Sequence, residues 1–452
     1  MESKTGRQKG IWNWIDRIQG DKVIWMIVIL LILYSTVAIF SSTSQLASES
    51  VSRLDIFMEQ MGVIGAGLLI ILFFYNFMKV GAIRFFSQFG FLASAVMLLM
   101  LVFNISTLEV NDSVRIIVIA GVQINVYEFV KIFMIVYLAW AIHAYKTDSF
   151  FIVNFLSARF PALSFLSKAY VKRIIYIHIP IIFVVLCILK GGFSSAMFIG
   201  VIMIATILIG GIPVKDIMVL ASVGILAVGG SYSLYKISGG KIMSDRWETV
   251  ERRIERFFLP EDVAELKPGT AEWREHLDEI RQPEGAKIAI KEGGLIGKGP
   301  GRSTQKYTVA LIFSDYMYSF IIEEYGLLFG GIPLIILYVS LLARGSIIVR
   351  YCDNEFARTV IAGLTLVISA QAMMHMWINA GLWPLTGQTL PMISDGKISF
   401  IAFSIAFGIL LSISKMAKQK VDQAAMESEP LVVKSDDEVR EGLDDLDKLE
   451  SK

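Results

Sequence analysis

Apolar positions along this chain are gathered into long, nearly continuous runs. Ten of them approach the roughly 20 residues an α-helix needs to cross a hydrocarbon core. They cover about 23–41, 57–77, 87–103, 126–144, 174–189, 195–210, 217–236, 325–348, 357–380 and 398–414. The sixth has the softest start, because "GGFSSAMF" opens it. Soluble core helices do not supply so many runs. The pattern therefore predicts an all-α, polytopic integral membrane protein with about ten transmembrane helices.

Charge then sets the orientation. With the N-terminus inside, short inner loops hold Lys79, Arg84, Lys146, Arg159, Lys168, Lys172, Arg173, Lys215, Arg344, Arg350 and Arg358. Short outer segments hold only Arg53, Arg115, Lys190 and Lys397. This is the positive-inside bias, and ten spans bring both termini to the cytoplasm. Lys4, Arg7, Lys9, Arg17 and Lys22 precede the first run with no small-residue cleavage site after it, so that run reads as a retained helix. Three regions follow: a cytoplasmic N-terminus at 1–22, a membrane domain at 23–416, and an acidic tail at 417–452 expected to be disordered. One large extracytoplasmic loop, about 237–310, separates spans seven and eight.

Composition agrees: 55% of residues are hydrophobic, 18% are charged, and mean hydropathy is +0.61. A formal net charge of +1 gives no field for nucleic acid. Cys187 and Cys352 fall in different segments, and His143, His178, His276 and His375 are scattered, so neither a disulfide framework nor a zinc spacing is present.

Three polar features border the membrane on the outer side. Glu128 and Lys131, three apart at the start of span four, share a helix face. Asp315 precedes span eight, with Glu323 and Glu324 two turns later. The stretch "MWINAGLWPLTGQTLPMISDGKISF" interrupts its helix at Pro384, Gly387, Pro391 and Gly396 and offers Asn379, Thr386, Gln388 and Ser394 as hydrogen-bonding groups. Each has a structural alternative: an interfacial ion pair, a solvated helix start, an ordinary loop. Together with "GGLIGKGPGRS", which adds the cations Lys298 and Arg302, they suggest a site for an anionic, membrane-anchored substrate, with a phosphate the natural anion.

These motifs resemble the SEDS family (shape, elongation, division and sporulation) of the FtsW/RodA/SpoVE type. The strongest piece is "GGLIGKGPGRSTQKYTVALIFSDYMYSFIIEEYGLLFGG". Asp315 falls on the family's essential aspartate there, and Gln305, Lys306, Glu323, Glu324 and Gly326 match as well. "VERRIERFFLP" is similar to "RxxRIxxFLDP", and "AGVQINVYEFVKI" to "GxFxFQPSEFAKL", which aligns Glu128 and Lys131. Arg115 takes the place of the Arg in "KRW". "GQTLP" is closer to the division-type FtsW branch than to the "GIPLP" of the elongation type. Two stretches depart: "PDFGTA" reads "GGFSSA", without its acidic residue at Gly191–Gly192, and "SYGGSS" reads "SDGKIS", with Asp395 and Lys397.

The resemblance implies a peptidoglycan glycosyltransferase of the bacterial cytoplasmic (inner) membrane that polymerises lipid II at the outer face, in septal wall synthesis. Asp315 is the expected general base, or a ligand of Mg²⁺ or Mn²⁺. Lys131, Arg115 and Lys306 are expected to meet the undecaprenyl-pyrophosphate of the glycan, and Glu128 to orient Lys131 or the acceptor. Gln305, Lys298, Arg302, Asn379, Ser394 and Asp395 complete the expected substrate contacts. A class B penicillin-binding protein (a transpeptidase) and other divisome proteins are the implied partners. An inactive scaffold for the transpeptidase, which the two departures favour, and a lipid II flippase are the competing readings.

Overall fold

The computed structural model describes residues 20–42, 53–110, 113–119, 121–239, 247–248, 250–251 and 270–428. Helices dominate it. In chain order they are α1 Lys22–Ser42, α2 Arg53–Phe77, α3 Val80–Val102, α4 Val126–Lys146, α5 Phe151–Arg159, α6 Ala169–Gly191, α7 Phe193–Ile209 and α8 Val214–Ile237. There follow α9 Ala271–Gly293, α10 Met317–Tyr351, α11 Glu355–Asn379 and α12 Lys397–Ser428. Among the described residues, nine helices are long and apolar enough to span a bilayer, and α7, at 17 residues, is a shorter apolar one. All ten predicted runs fall on these helices.

Three helices start well before the apolar runs did. α3 begins at Val80, not 87; α6 at Ala169, not 174; and α10 at Met317, not 325. The extra turns carry Arg84, Arg173, Glu323 and Glu324. Hydropathy truncates a helix at a charge, whereas the fold gives these charges partners. Arg173 Nε lies 2.7 Å from Asp216, and Arg84 Nη1 lies 2.9 Å from the His143 ring. The N-terminal segment 1–19, residues 240–246, 249 and 252–269 of the predicted outer loop, and the tail from 429 lie outside the described residues, but α12 continues to Ser428, past the expected end of the membrane domain at 416.

α4 is the central pillar. One face, with Ile132, Ile135, Val136 and Ala139, joins a core built with α1, α2, α10, α11 and α12. The other face, with Val130, Met134, Leu138 and Ala141, joins a second core with α3, α6 and α7. About 78% of the α4 and α12 spans is buried inside the protein, against 22% for α2 and α3 and 6% for α8. A span that buries so little in its own bundle leaves its apolar surface to lipid or to another chain.

The two ends of the bundle differ. One end is laced by ion pairs between helix termini: Lys146–Glu355 at 2.9 Å, Lys172–Asp148 at 2.5 Å and Arg344–Asp21 at 2.5 Å. The other carries a three-stranded antiparallel sheet, β1 Thr107–Val110, β2 Ser113–Ile119 and β3 Val122–Asn125, in the order β1-β2-β3. The apolar runs did not announce this sheet, since its strands are only four to seven residues long. β3 runs directly into α4 and so fixes the entry of the pillar.

At that same end the glycine-rich segment crosses α10 backbone against backbone. α10 opens at Gly326 (φ +72°) into a wide turn, Leu327–Gly331, and the groups it frees are taken by the crossing chain. Lys298 N and Gly299 N donate to the carbonyls of Glu323 and Glu324, each at 2.9 Å. Leu327 N and Leu328 N donate to the carbonyls of Gly294 and Leu295, at 2.9 and 3.0 Å. A broken helix at membrane depth is tolerated when protein satisfies its backbone in this way. A Cβ on Gly326 would stand 2.4 Å from the Leu295 carbonyl oxygen, in a left-handed conformation that L-residues rarely adopt. Gly326→Ala is expected to cost at least about 2–3 kcal/mol, read as a lowered thermal midpoint in detergent. Gly224→Ala on α8, which meets nothing within 4 Å, is the control and should leave the midpoint unchanged or raise it. Equal midpoints for the two variants would refute the crossing.

Candidate functional site

The site collects at the sheet-bearing end, around two buried charges of α4. Lys131 is 3% exposed and Glu128 4%. Lys131 Nζ donates to Glu128 Oε1 at 3.0 Å, to Gln371 Oε1 in a short contact, and to Gln388 Oε1 at 3.4 Å. Phe198 and Phe403 wall the ammonium, with ring centroids 6.0 and 5.6 Å away. Glu128 Oε2 accepts from Ser399 Oγ at 3.2 Å, and Ser399 lies 3.0 Å from Thr389 Oγ1. Gln388 Nε2 donates to Ser195 Oγ at 3.1 Å, and Gln371 Nε2 to the Thr389 carbonyl at 3.0 Å. The pair is thus held by α4, α7, α11, α12 and the 380–396 loop together.

The 380–396 loop then leads to Asp315. Gly387 has φ +65°, and a Cβ there would stand 3.0 Å from Arg115 Nη1 and 3.7 Å from Asp315 Oδ2. Arg115, on β2, donates to the Gly387 carbonyl at 3.4 Å. Asp315, 7% exposed, accepts from Ser314 Oγ at 2.9 Å. Its backbone is strapped down on both sides: Asn379 Nδ2 donates to the Asp315 carbonyl at 3.0 Å, Ser394 Oγ to that of Ser314 at 2.7 Å, and Asp395 N to that of Phe313 at 2.8 Å. Asn379 Oδ1 in turn accepts from Ser319 N at 3.0 Å. Arg115, Asp315, Asn379 and Ser394 therefore meet around one loop, and Lys131, paired with Glu128, meets the residue after Gly387, Gln388.

Lys298, Arg302, Gln305 and Lys306 belong to a neighbouring knot. Glu323 and Glu324 are fully buried. Glu323 Oε1 accepts from Lys298 Nζ at 2.6 Å and Thr304 N at 2.8 Å, and its Oε2 from Ser303 Oγ at 2.5 Å. Glu324 Oε1 accepts from Ser41 Oγ at 2.7 Å, with Lys306 Nζ at 3.9 Å. Lys306 Nζ also donates to the Gly301 carbonyl at 2.9 Å. Burial works against the Lys298 ammonium, but the hydrogen bonds it donates to Glu292 and Glu323 more than offset it and raise its pKa. These two carboxylates fold the glycine-rich loop, and the lysines expected at substrate are their counterions. Gln305 N also donates to Glu323 Oε1, at 3.3 Å, and Arg302 is exposed. Asp395 faces Lys397 and Glu59; burial raises its carboxyl pKa, with Lys397 opposing.

Sequence reading missed Gln371, Ser195, Thr389 and Ser399, and it took Gln388 for a ligand contact. A signal was present, because Gln371, His375 and Asn379 recur every fourth residue and so share one face of α11. Among the described residues no group of three or more His, Cys, Asp or Glu side chains could hold a metal ion. Asp315, beside a guanidinium, does not make a resident metal site on its own.

The FtsW/RodA/SpoVE family model, described as a cell cycle protein, matches residues 21–419. The chain belongs to this family. It is 28% identical over 413 residues to a probable peptidoglycan glycosyltransferase FtsW of Bacillus subtilis (strain 168), covering 90% of this chain and 93% of that one. It is 29% identical to the protein of the same name in Caulobacter vibrioides (strain NA1000 / CB15N) over 203 residues, which spans 45% of either chain. The fold matches a chain of a solved peptidoglycan synthase complex with a TM-score of 0.57 at 19% identity, over 88% of this chain and 99% of that one. Family membership and fold together establish a multi-pass membrane protein.

Removing one partner of a buried ion pair leaves the other charge stranded, at a cost of about 3–5 kcal/mol. Lys131→Met should therefore lower the thermal midpoint in detergent more than the double variant Glu128→Gln/Lys131→Met does. A double variant less stable than Lys131→Met would show that the ion pair is not what holds this junction.

Proposed function

We propose that the protein is a peptidoglycan glycosyltransferase that polymerises lipid II at the outer face of the bacterial cytoplasmic membrane, in septal wall synthesis. The observation that carries the reading is the meeting of Asp315 and Arg115 at Gly387, one residue from the amide that contacts Lys131. A glycosyl transfer from a diphosphate needs a base for the acceptor hydroxyl and cations for the departing anion, and this loop carries both.

In this reading the 4-hydroxyl of an acceptor sugar attacks the anomeric carbon of the growing glycan. The new C–O bond forms as the bond to the undecaprenyl-diphosphate oxygen breaks. Asp315 takes the hydroxyl proton as general base. Arg115 and Lys131 face the charge that develops on the leaving oxygen. Glu128 orients Lys131, while Ser394 and Asn379 hold the backbone that aims Asp315. Should a divalent cation take part, Asp315 is the residue here that would offer it a carboxylate oxygen. Bound there, it would help neutralise the departing diphosphate.

The likeness to a chain of a peptidoglycan synthase complex supports a class B penicillin-binding protein as partner. The little-buried α8, α2 and α3 leave room for its single transmembrane helix. Purified protein with its cognate transpeptidase is expected to polymerise lipid II, and Asp315→Ala and Asp315→Asn to lose at least about a hundredfold in rate, the scale of a general base. Polymer at equal rates from all three would remove Asp315 from the chemistry. If even the wild-type complex makes none, the scaffold reading, which the "GGFSSA" and "SDGKIS" departures favour, takes its place.

A further inference from the structure

Lys131 has no proton left to give. An ammonium carries three N–H donors, and three acceptors surround this one: Glu128 Oε1, Gln371 Oε1 and Gln388 Oε1. Aromatic rings close the remaining sides. On the reading above, an incoming diphosphate must displace one of the three. Glu128 is tied to Ser399 as well as to Lys131. Gln371 makes the short contact and anchors its other end on the Thr389 carbonyl at 3.0 Å. Gln388 makes the longest contact, 3.4 Å, and sits on the loop that also carries Gly387 between Arg115 and Asp315.

We propose that Gln388 is a positioning residue: its side-chain carbonyl holds the place of a diphosphate oxygen on Lys131 and yields it when lipid-linked substrate arrives. The amide has a hinge for this exchange. Its Nε2 donates to Ser195 Oγ at 3.1 Å, so the carbonyl end can swing away while the nitrogen stays anchored. Ser195 lies in "GGFSSA", the stretch where the family's carboxylate is missing, so a neutral amide and a hydroxyl do the holding here. Neutrality is what makes the exchange work. A neutral carbonyl gives way to an anion, whereas a carboxylate at the same position would compete with the substrate for Lys131.

This inference rests on the proposed glycosyl transfer, and its test separates the two. Wild type, Gln388→Glu and Gln388→Met are compared in complex with the transpeptidase by equilibrium binding of lipid II in nanodiscs and by polymerisation kinetics. Gln388→Glu keeps the shape of the side chain and can still accept from Lys131. If Gln388 only supports the fold, Gln388→Glu stays near wild type and Gln388→Met suffers more. If it is displaced by substrate, Gln388→Glu binds lipid II at least about tenfold more weakly than Gln388→Met, about 1.4 kcal/mol, and shows a raised KM, even though Gln388→Met, which leaves a Lys131 donor unmet, is the variant with the lower thermal midpoint. Binding by Gln388→Glu as tight as wild type overturns the proposal while leaving the polymerase reading intact. Wild type that binds lipid II but makes no polymer would sink the polymerase reading alone, and the same comparison of affinities would still decide the role of Gln388. Absence of lipid II binding by wild type would sink both.

Discussion

The demand of one buried ammonium organises this end of the protein. Lys131 is charged, sits on the helix shared by both hydrophobic cores, and is walled by aromatic rings. A charge so placed is tolerated only when its partners are supplied in full. Three acceptors from α4, α11 and the 380–396 loop meet it, and each is steadied in turn by a second polar group. The loop cannot move without disturbing Lys131. Arg115 and Asp315 lie against the same loop, so their geometry follows from the same constraint.

The three carboxylates around the start of α10 divide into two kinds. Glu323 and Glu324 are structural: an opened helix and a glycine-rich crossing expose backbone and hydroxyl donors, and two buried carboxylates collect them. Their counterions, Lys298 and Lys306, are thereby taken up in folding. Asp315 stands apart. Its backbone is held by Asn379, and the carbonyls of its neighbours Phe313 and Ser314 by Asp395 and Ser394, while its side chain lies by Gly387.

Hydropathy made the ten helical segments legible because lipid-facing residues are apolar whatever the packing. Its errors fell where the fold gives a charge a partner, so Arg84, Arg173, Glu323 and Glu324 ended the predicted runs too early. The small sheet carrying Arg115 was illegible, since β1 and β3 have only four residues each and β2, which holds Arg115, has seven, all paired through tight local hairpins too short to set up a strand pattern. In the site, Glu128, Lys131 and Asp315 stood out as charges beside apolar runs. Gln371 and Gln388 did not, because a neutral amide in a membrane helix or loop carries no such flag. It acquires meaning only when the fold shows which charge it faces.

The resting charge of the site bears on how an anion would enter. The titratable side chains of the site are two carboxylates, Asp315 and Glu128, and two bases, Arg115 and Lys131, so their formal charges balance before substrate. The two cations are not equally available. Three oxygens surround Lys131, among them a carboxylate, whereas the contact seen for Arg115 is one long bond to a backbone carbonyl, and its side chain is only half-buried. On the proposed reading a diphosphate would therefore meet Arg115 first, where little must be given up, and reach Lys131 only by displacing an oxygen already there. That order places the most strongly held cation last, close to the moment when charge develops on the leaving oxygen. A cation whose contact strengthens only at that stage contributes more to the transition state than to initial binding.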